Sequence, residues 1–243
     1  MNNRKRCNAK RNLIAVFGSL LLLSGCHNLQ GSNQEISNAY ADNYEISGTT
    51  RDDIIGTVSP AIFTTVDRSN KEAKRKYGPV SSKKGVKLSL ETGRYIITGH
   101  PTGRVFIYDE DGNLLVQEIV GDKVGVPALT ADIDSSFSVV MDGGYDIVTI
   151  EPVKTKLSTE LAPGIWDVGL DIAPGHYTIS TPYGYGFVQI FEQGEEPRLF
   201  ELTAGELTNS QSRVQLKEGQ KVRVSKVSIV NFERASEADG DEE

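Results

Sequence analysis

Pro182-Tyr183-Gly184-Tyr185-Gly186 sets two tyrosines apart by glycine, between two strand-like runs. Tyr183 and Tyr185 in that setting have ring faces to stack on a sugar and hydroxyls to bond a partner chain. Loops on a β scaffold are where such sites usually sit. The competing reading makes one tyrosine a cover for the open end of a sandwich and the other an ordinary surface residue. Other chemistry is sparse. The histidines, His27, His100 and His176, are isolated, and none has the i, i+4 histidine partner of a zinc helix. Asp109, Asp111 and Asn113 are spaced like the first three ligands of a calcium loop. Leu114 stands where that loop needs glycine and Val120 where it needs glutamate, so a hairpin tip is the expected role. Asp132, Asp134, Asp142 and Asp146 read as turn residues too. A glycosidase needs two carboxylates facing each other across a cleft. With 33 acidic residues, chance supplies many pairs and singles out none. No nucleophile elbow, P-loop or dinucleotide fingerprint is present. Catalytic residues, metal ligands and cofactors are therefore expected to be none.

The cysteines lead to the chain's N-terminal organisation. Residues 1–12 carry Arg4, Lys5, Arg6, Lys10 and Arg11 with no acidic residue, and an apolar run follows over Leu13–Leu23. A basic start, an apolar core of about 7–15 residues and a small-residue exit describe a secretory signal peptide. The core is too short for a hydrocarbon layer that needs roughly 20 residues. Leu23-Ser24-Gly25-Cys26 then resembles the lipobox of bacterial lipoproteins. That resemblance implies diacylglyceryl transfer to the Cys26 thiol, cleavage after Gly25, and a mature chain held by palmitate-like acyl chains. Each buried methylene contributes ~0.8 kcal/mol, and two chains hold stably where one does not. Cys7 is lost with residues 1–25, so the mature chain has no disulfide and no thiol chemistry.

Cleavage would leave 21 basic against 33 acidic residues, a net charge of −12. Such a chain is not a general nucleic-acid binder, since phosphate contacts rest on Lys and Arg. It would also be repelled by anionic headgroups, so membrane contact is expected through the lipid on Cys26 alone.

The elements that must position any site read as follows. Residues 26–53 form a polar stretch without sustained periodicity, expected to be a flexible tether. Residues 54–80 suggest one or two short strands, Ile54–Pro60 and Ala61–Val66. A charged helix or linker follows, with Asn70 as N-cap and Gly78-Pro79 as its stop. Lys71, Lys74, Arg75 and Lys76 form a basic patch, a solvated face or a contact for an anionic wall polymer. An internal repeat occupies the rest. Leu88, Leu90, Gly93, Tyr95 and Ile97 recur 82 residues later as Leu170, Ile172, Gly175, Tyr177 and Ile179. Gly103–Tyr108 answers Gly186–Phe191, and Asp-Gly and Gly-Gly turns separate the runs. The expected fold is all-β: two tandem small β-sandwich or barrel-like domains, 81–154 and 158–234, with a disordered acidic tail over 235–243.

Gly164-Ile165-Trp166-Asp167-Val168-Gly169-Leu170-Asp171-Ile172-Ala173-Pro174-Gly175-His176-Tyr177, with the later strand Val214–Val224, resembles a small secreted or lipid-anchored domain of Gram-positive bacteria. The first repeat lacks the tryptophan and the proline before Gly93. The resemblance implies an all-β fold and an outer-surface location, Gram-positive favoured, and no catalytic activity. The reading that follows is a lipid-anchored surface protein, binding or scaffolding at the envelope, with wall polymer, glycan or surface protein as partner. The alternative is an extracytoplasmic hydrolase of envelope glycans using loop carboxylates.

Overall fold

The computed structural model describes Tyr40, residues 42–205 and residues 210–235. Cys26, the expected signal peptide over 1–25 and the expected disordered tail beyond Ala235 lie outside the described residues. Within them the chain is mainly β-strand, as expected of an all-β fold.

Two runs of eight strands share one pairing scheme. The first comprises β2 (Lys76–Gly78), β3 (Val86–Leu88), β4 (Gly93–His100), β5 (Thr102–Tyr108), β6 (Leu114–Gly121), β7 (Leu129–Ile133), β8 (Ser138–Asp142) and β9 (Ile147–Pro152). The second comprises β10 (Glu160–Leu161), β11 (Gly164–Asp167), β12 (Gly175–Ser180), β13 (Gly184–Phe191), β14 (Arg198–Ala204), β15 (Ser212–Leu216), β16 (Lys221–Ser225) and β17 (Val230–Arg234). In the first run β4 lies between β7 and β9, with β2 beyond β9; β5 lies between β6 and β8, with β3 beyond β8. In the second run β12 lies between β15 and β17, with β10 beyond β17; β13 lies between β14 and β16, with β11 beyond β16. The pairs within each run are antiparallel.

The repeated residues explain the repeated pairing. Tyr95 and Tyr177 occupy matching places on β4 and β12, buried in different apolar clusters. Each hydroxyl donates to a carbonyl four residues upstream, Glu91 and Ala173, at 2.8 Å in both cases. A buried phenol needs such an acceptor, and the backbone just before the strand supplies it. Strand alternation does the rest: β15 reads buried, exposed, buried, exposed, buried along Ser212–Leu216.

The two runs meet edge to edge. β7 and β11 pair in parallel at Thr130 and Gly164, and the Thr130 amide donates to the Pro163 carbonyl at 2.9 Å. The result is one nine-stranded sheet, β1-β14-β13-β16-β11-β7-β4-β9-β2, flanked by two four-stranded sheets. β13 is buried at every position from Gly186 to Phe191 because it serves both clusters. Val188 and Ile190 enter the second, while Phe187 and Phe191 point the other way into the first.

The segment before β2 departs from expectation. β1 (Glu45–Ile46) pairs with β14, and α1 (Gly48–Ile55) follows, so the last third of the expected tether is folded. Ile54–Pro60 and Ala61–Val66 are not strands: α1 ends at Ile55 and a 3-10 turn spans Pro60–Phe63. Ile46, Ile55 and Ile62 join Phe187, Phe191 and Leu199 in the first cluster. This segment therefore fills the space between the two runs. Burial of its few apolar residues fixed it, where local periodicity gave no cue. Ser59 Oγ donates to Asp109 Oδ2 inside this contact. The charged helix is absent also. Asn70 has a left-handed φ of 56° and pins two neighbours instead of capping. Its Nδ2 donates to the Val153 carbonyl and its Oδ1 accepts the Arg94 amide, both at 2.8 Å.

Candidate functional site

Tyr183 lies in the β12–β13 turn, as the sequence places it, whereas Tyr185 lies at the start of β13 and not on the loop. Tyr183 is 72% exposed and Tyr185 49%. Neither is itself a member of an apolar cluster. Gly184 between them takes a left-handed φ of 78°, and a Cβ there would meet nothing within 4 Å. The turn is thus held by backbone conformation and stays open above. Tyr185 packs edge-on against Phe187, 5.2 Å between centroids. Burial first, then the charge of Glu201, raises the Tyr185 phenol above its ordinary value. Tyr40 donates to Glu201 Oε1 at 3.2 Å and stacks edge-on against Tyr44 at 5.7 Å. The tyrosines are therefore part of a surface with aromatic and acidic members drawn from three segments.

The residues that do converge are charged, and they sit where β7 meets β11. Arg94 leaves β4 and is 1% exposed; Asp171, in the turn after β11, is 0% exposed. Arg94 Nη1 donates to Asp132 Oδ1 at 2.9 Å, and its Nη2 lies 3.0 Å from Asp171 Oδ1. The second contact is an ion pair without hydrogen-bond alignment, since Nη2 has no aligned acceptor. Arg68 reaches in from the segment before β2. Its Nε donates to Asp132 Oδ2 at 2.9 Å, its Nη1 to Asp171 Oδ1 at 3.1 Å, and its Nη2 also meets Asp167. Lys221 of β16 pairs with the other oxygen of Asp167. The Arg94 guanidinium stacks on Trp166, 4.8 Å from the ring centroid, and the indole N–H donates to the Ala162 carbonyl at 2.8 Å.

Three carboxylates thus meet three cations, and the group is neutral as a whole. Burial pushes the Asp171 carboxyl up, against the opposing pull of Arg94, the Asp167 amide and Arg68. Arg68 also loses water, but Asp132, Asp171 and Asp167 outweigh that loss and hold its guanidinium above the usual value. Burial drives the first of these shifts and the surrounding carboxylates the second. With its acids bound to arginine and lysine, the cluster has no carboxylate held back for proton transfer. Its geometry is that of a joint.

Asp132, expected in a turn, lies on β7, and the sequence reading does not bring it together with Asp167 and Asp171. One signal was available. Across the repeat, Arg94 corresponds to His176 and Asp171 to Ser89, so the joint is built where the two copies differ.

The remaining candidates fall into structural roles. Asp109 Oδ1 accepts the Asn113 amide at 2.7 Å and Oδ2 the Asn113 side chain at 3.0 Å, closing a hairpin turn at the calcium-like spacing. His100 Nδ1 lies 2.8 Å from Asp122 on the surface, and His176 is exposed on the face of β12 opposite Tyr177. Among the described residues no group of three or more His, Cys, Asp or Glu is arranged to hold a metal ion. No helix among them is long and apolar enough to cross a membrane. No protein-family model, curated protein or solved structure matches this chain.

Proposed function

We propose that this chain is a lipid-anchored protein of the bacterial outer surface that acts by binding or scaffolding at the envelope. In this reading each run of eight strands is one sandwich-like unit, the second a copy of the first. The two are held as one rigid body above a membrane anchor on Cys26. One observation carries the preference for binding over hydrolysis: the carboxylates that converge, Asp132, Asp167 and Asp171, are bound to Arg68, Arg94 and Lys221. A glycosidase needs one carboxyl free to give a proton and another to act on the sugar. The joint between units uses its acids for cohesion instead. Tyr183 and Tyr185 are the binding surface of choice, raised on an open turn at the end of a strand that both apolar clusters hold in place.

The test is a retention screen of soluble chain 27–243 against wall polymer, glycans and surface proteins, beside the double variant Tyr183→Ala/Tyr185→Ala. Specific retention by the native chain, lost in the variant, is the expected result. Retention unchanged in the variant would move the site off this turn. Turnover of a wall glycan would overturn the binding reading itself.

A further inference from the structure

Among the described residues, the enclosed arginines face carboxylates with one exception. Arg68 and Arg94 share Asp132 and Asp171, and Arg51 meets Glu196 at 2.8 Å. Arg223, on β16, meets only neutral acceptors. Its Nε donates to Gln189 Oε1 at 2.6 Å, its Nη1 to the Leu115 carbonyl at 3.1 Å and its Nη2 to the Ile55 carbonyl at 3.5 Å. A guanidinium has five N–H donors, so two remain after these three bonds. The side chain keeps some exposed surface, yet its surroundings are dry enough that loss of water alone pulls it down to about 10. An enclosed charge without a counter-charge is costly, and the fold avoids that cost at its other enclosed arginines.

Arg223 opens into a cleft of about 390 Å³ where α1, the edge strand β6, β13 and β16 come together. That volume lies within the range of small-molecule sites, roughly 300–1,000 Å³. About half of the lining is apolar, with Ile54, Ile55, Leu115, Ile119 and Phe187 among it, and Thr57, Gln117, Gln189 and Ser225 add neutral polar positions. The one acid in the lining is Glu118, and both its oxygens are engaged. Oε1 accepts the Ile119 amide at 3.1 Å and Oε2 the Lys226 amide at 2.9 Å. Lys226 closes one side, its Nζ 5.2 Å from the centre of the Phe187 ring.

We propose that this cleft binds a small monocarboxylate carrying an apolar chain or ring, with Arg223 as the anchor for its carboxylate. One guanidinium with two N–H groups to give matches a planar carboxylate. A dianion is disfavoured by Glu118 beside it and by the acidic surplus of the chain. The apolar walls take the rest of the ligand. The cleft adjoins the Tyr183–Tyr185 turn, since Tyr185 packs on the Phe187 that lines it, and it stands or falls independently of the lipid anchor.

Octanoate is the probe and octanol its uncharged match, followed by methyl NMR of Ile54, Ile55 and Ile119 in soluble chain 27–243. Saturable shifts at these methyls with octanoate, absent with octanol, are expected. Arg223→Gln should weaken octanoate binding about tenfold or more, and Arg223→Lys should restore it only in part. Ile54→Glu, at a rim position that is 36% exposed, should abolish binding with melting unchanged. It carries the test if Arg223→Gln does not fold. Absence of saturable shifts, equal shifts with octanol, or full octanoate binding by Arg223→Gln or Ile54→Glu would overturn the proposal and leave Arg223 as a strut between α1 and β6.

Discussion

At the scale of single residues, this protein places charge inside itself and then constrains each charge. Asp109 is a clear case, buried where the N-terminal segment meets the β5–β6 hairpin, with the Ser59 hydroxyl bonded to it. That bond, followed by those from Asn113, holds the carboxyl below its ordinary value near 3.8. A carboxyl lowered by folding contributes stability above its ordinary value, and the contribution is lost as pH falls through the folded one. Ser59→Ala removes the largest cause, so its acid unfolding should begin at higher pH than the native chain's, read by circular dichroism along a pH series. An unchanged acid midpoint would mean that the hairpin alone sets Asp109. The turn around Asp109 was legible, because Asp-Gly with a following Asn is a local pattern. Its partner Ser59 was not, lying 50 residues away in a segment whose path only burial decides. For the Arg94–Asp171 joint, the difference between the two copies was the one cue.

At the scale of elements, Gly164 shows why the junction tolerates so little. It has a φ of 150°, and a Cβ there would lie 2.1 Å from the Thr130 carbonyl oxygen, a backbone atom on the other run. Gly164→Ala must separate β7 from β11 or distort both. A loss of about 2–4 kcal/mol in urea unfolding is expected, at the upper end for single substitutions. A loss under 1 kcal/mol would show that the parallel bridge bears little of the junction. The strands themselves were largely readable. Both runs announce themselves through the 82-residue repeat, alternation and glycine turns, and the structure gives them one pairing scheme. The elements before β2 were misread for a physical reason. Gly48–Ile55 is only eight residues, too short to show a helical stripe, and Thr, Val and Ile after it imitate strand composition. In the charged run after Asp67, helix propensity lost to the tertiary bonds of Asn70, which hold it in a left-handed conformation. The pairing of β7 with β11 had no sequence cue at all, since a single bridge between unlike edges leaves no pattern.

At the scale of the molecule, the account comes down to whether two β units behave as one body. Sheet continuity through Thr130 and Gly164, the neutral cluster of three acids and three bases, and the shared use of β13 all join them. A rigid pair would hold Tyr183, Tyr185 and the Arg223 cleft at fixed positions relative to one another. Differential scanning calorimetry of soluble chain 27–243 at neutral pH tests this most directly. The account predicts one transition whose van't Hoff and calorimetric enthalpies agree. It also predicts that Arg94→Met, which leaves Asp171 short of a buried partner, lowers that same transition by the equivalent of about 3–5 kcal/mol. Two transitions in the native chain, with Arg94→Met moving neither, would contradict it: the units would then fold apart and the charged cluster would not be the joint.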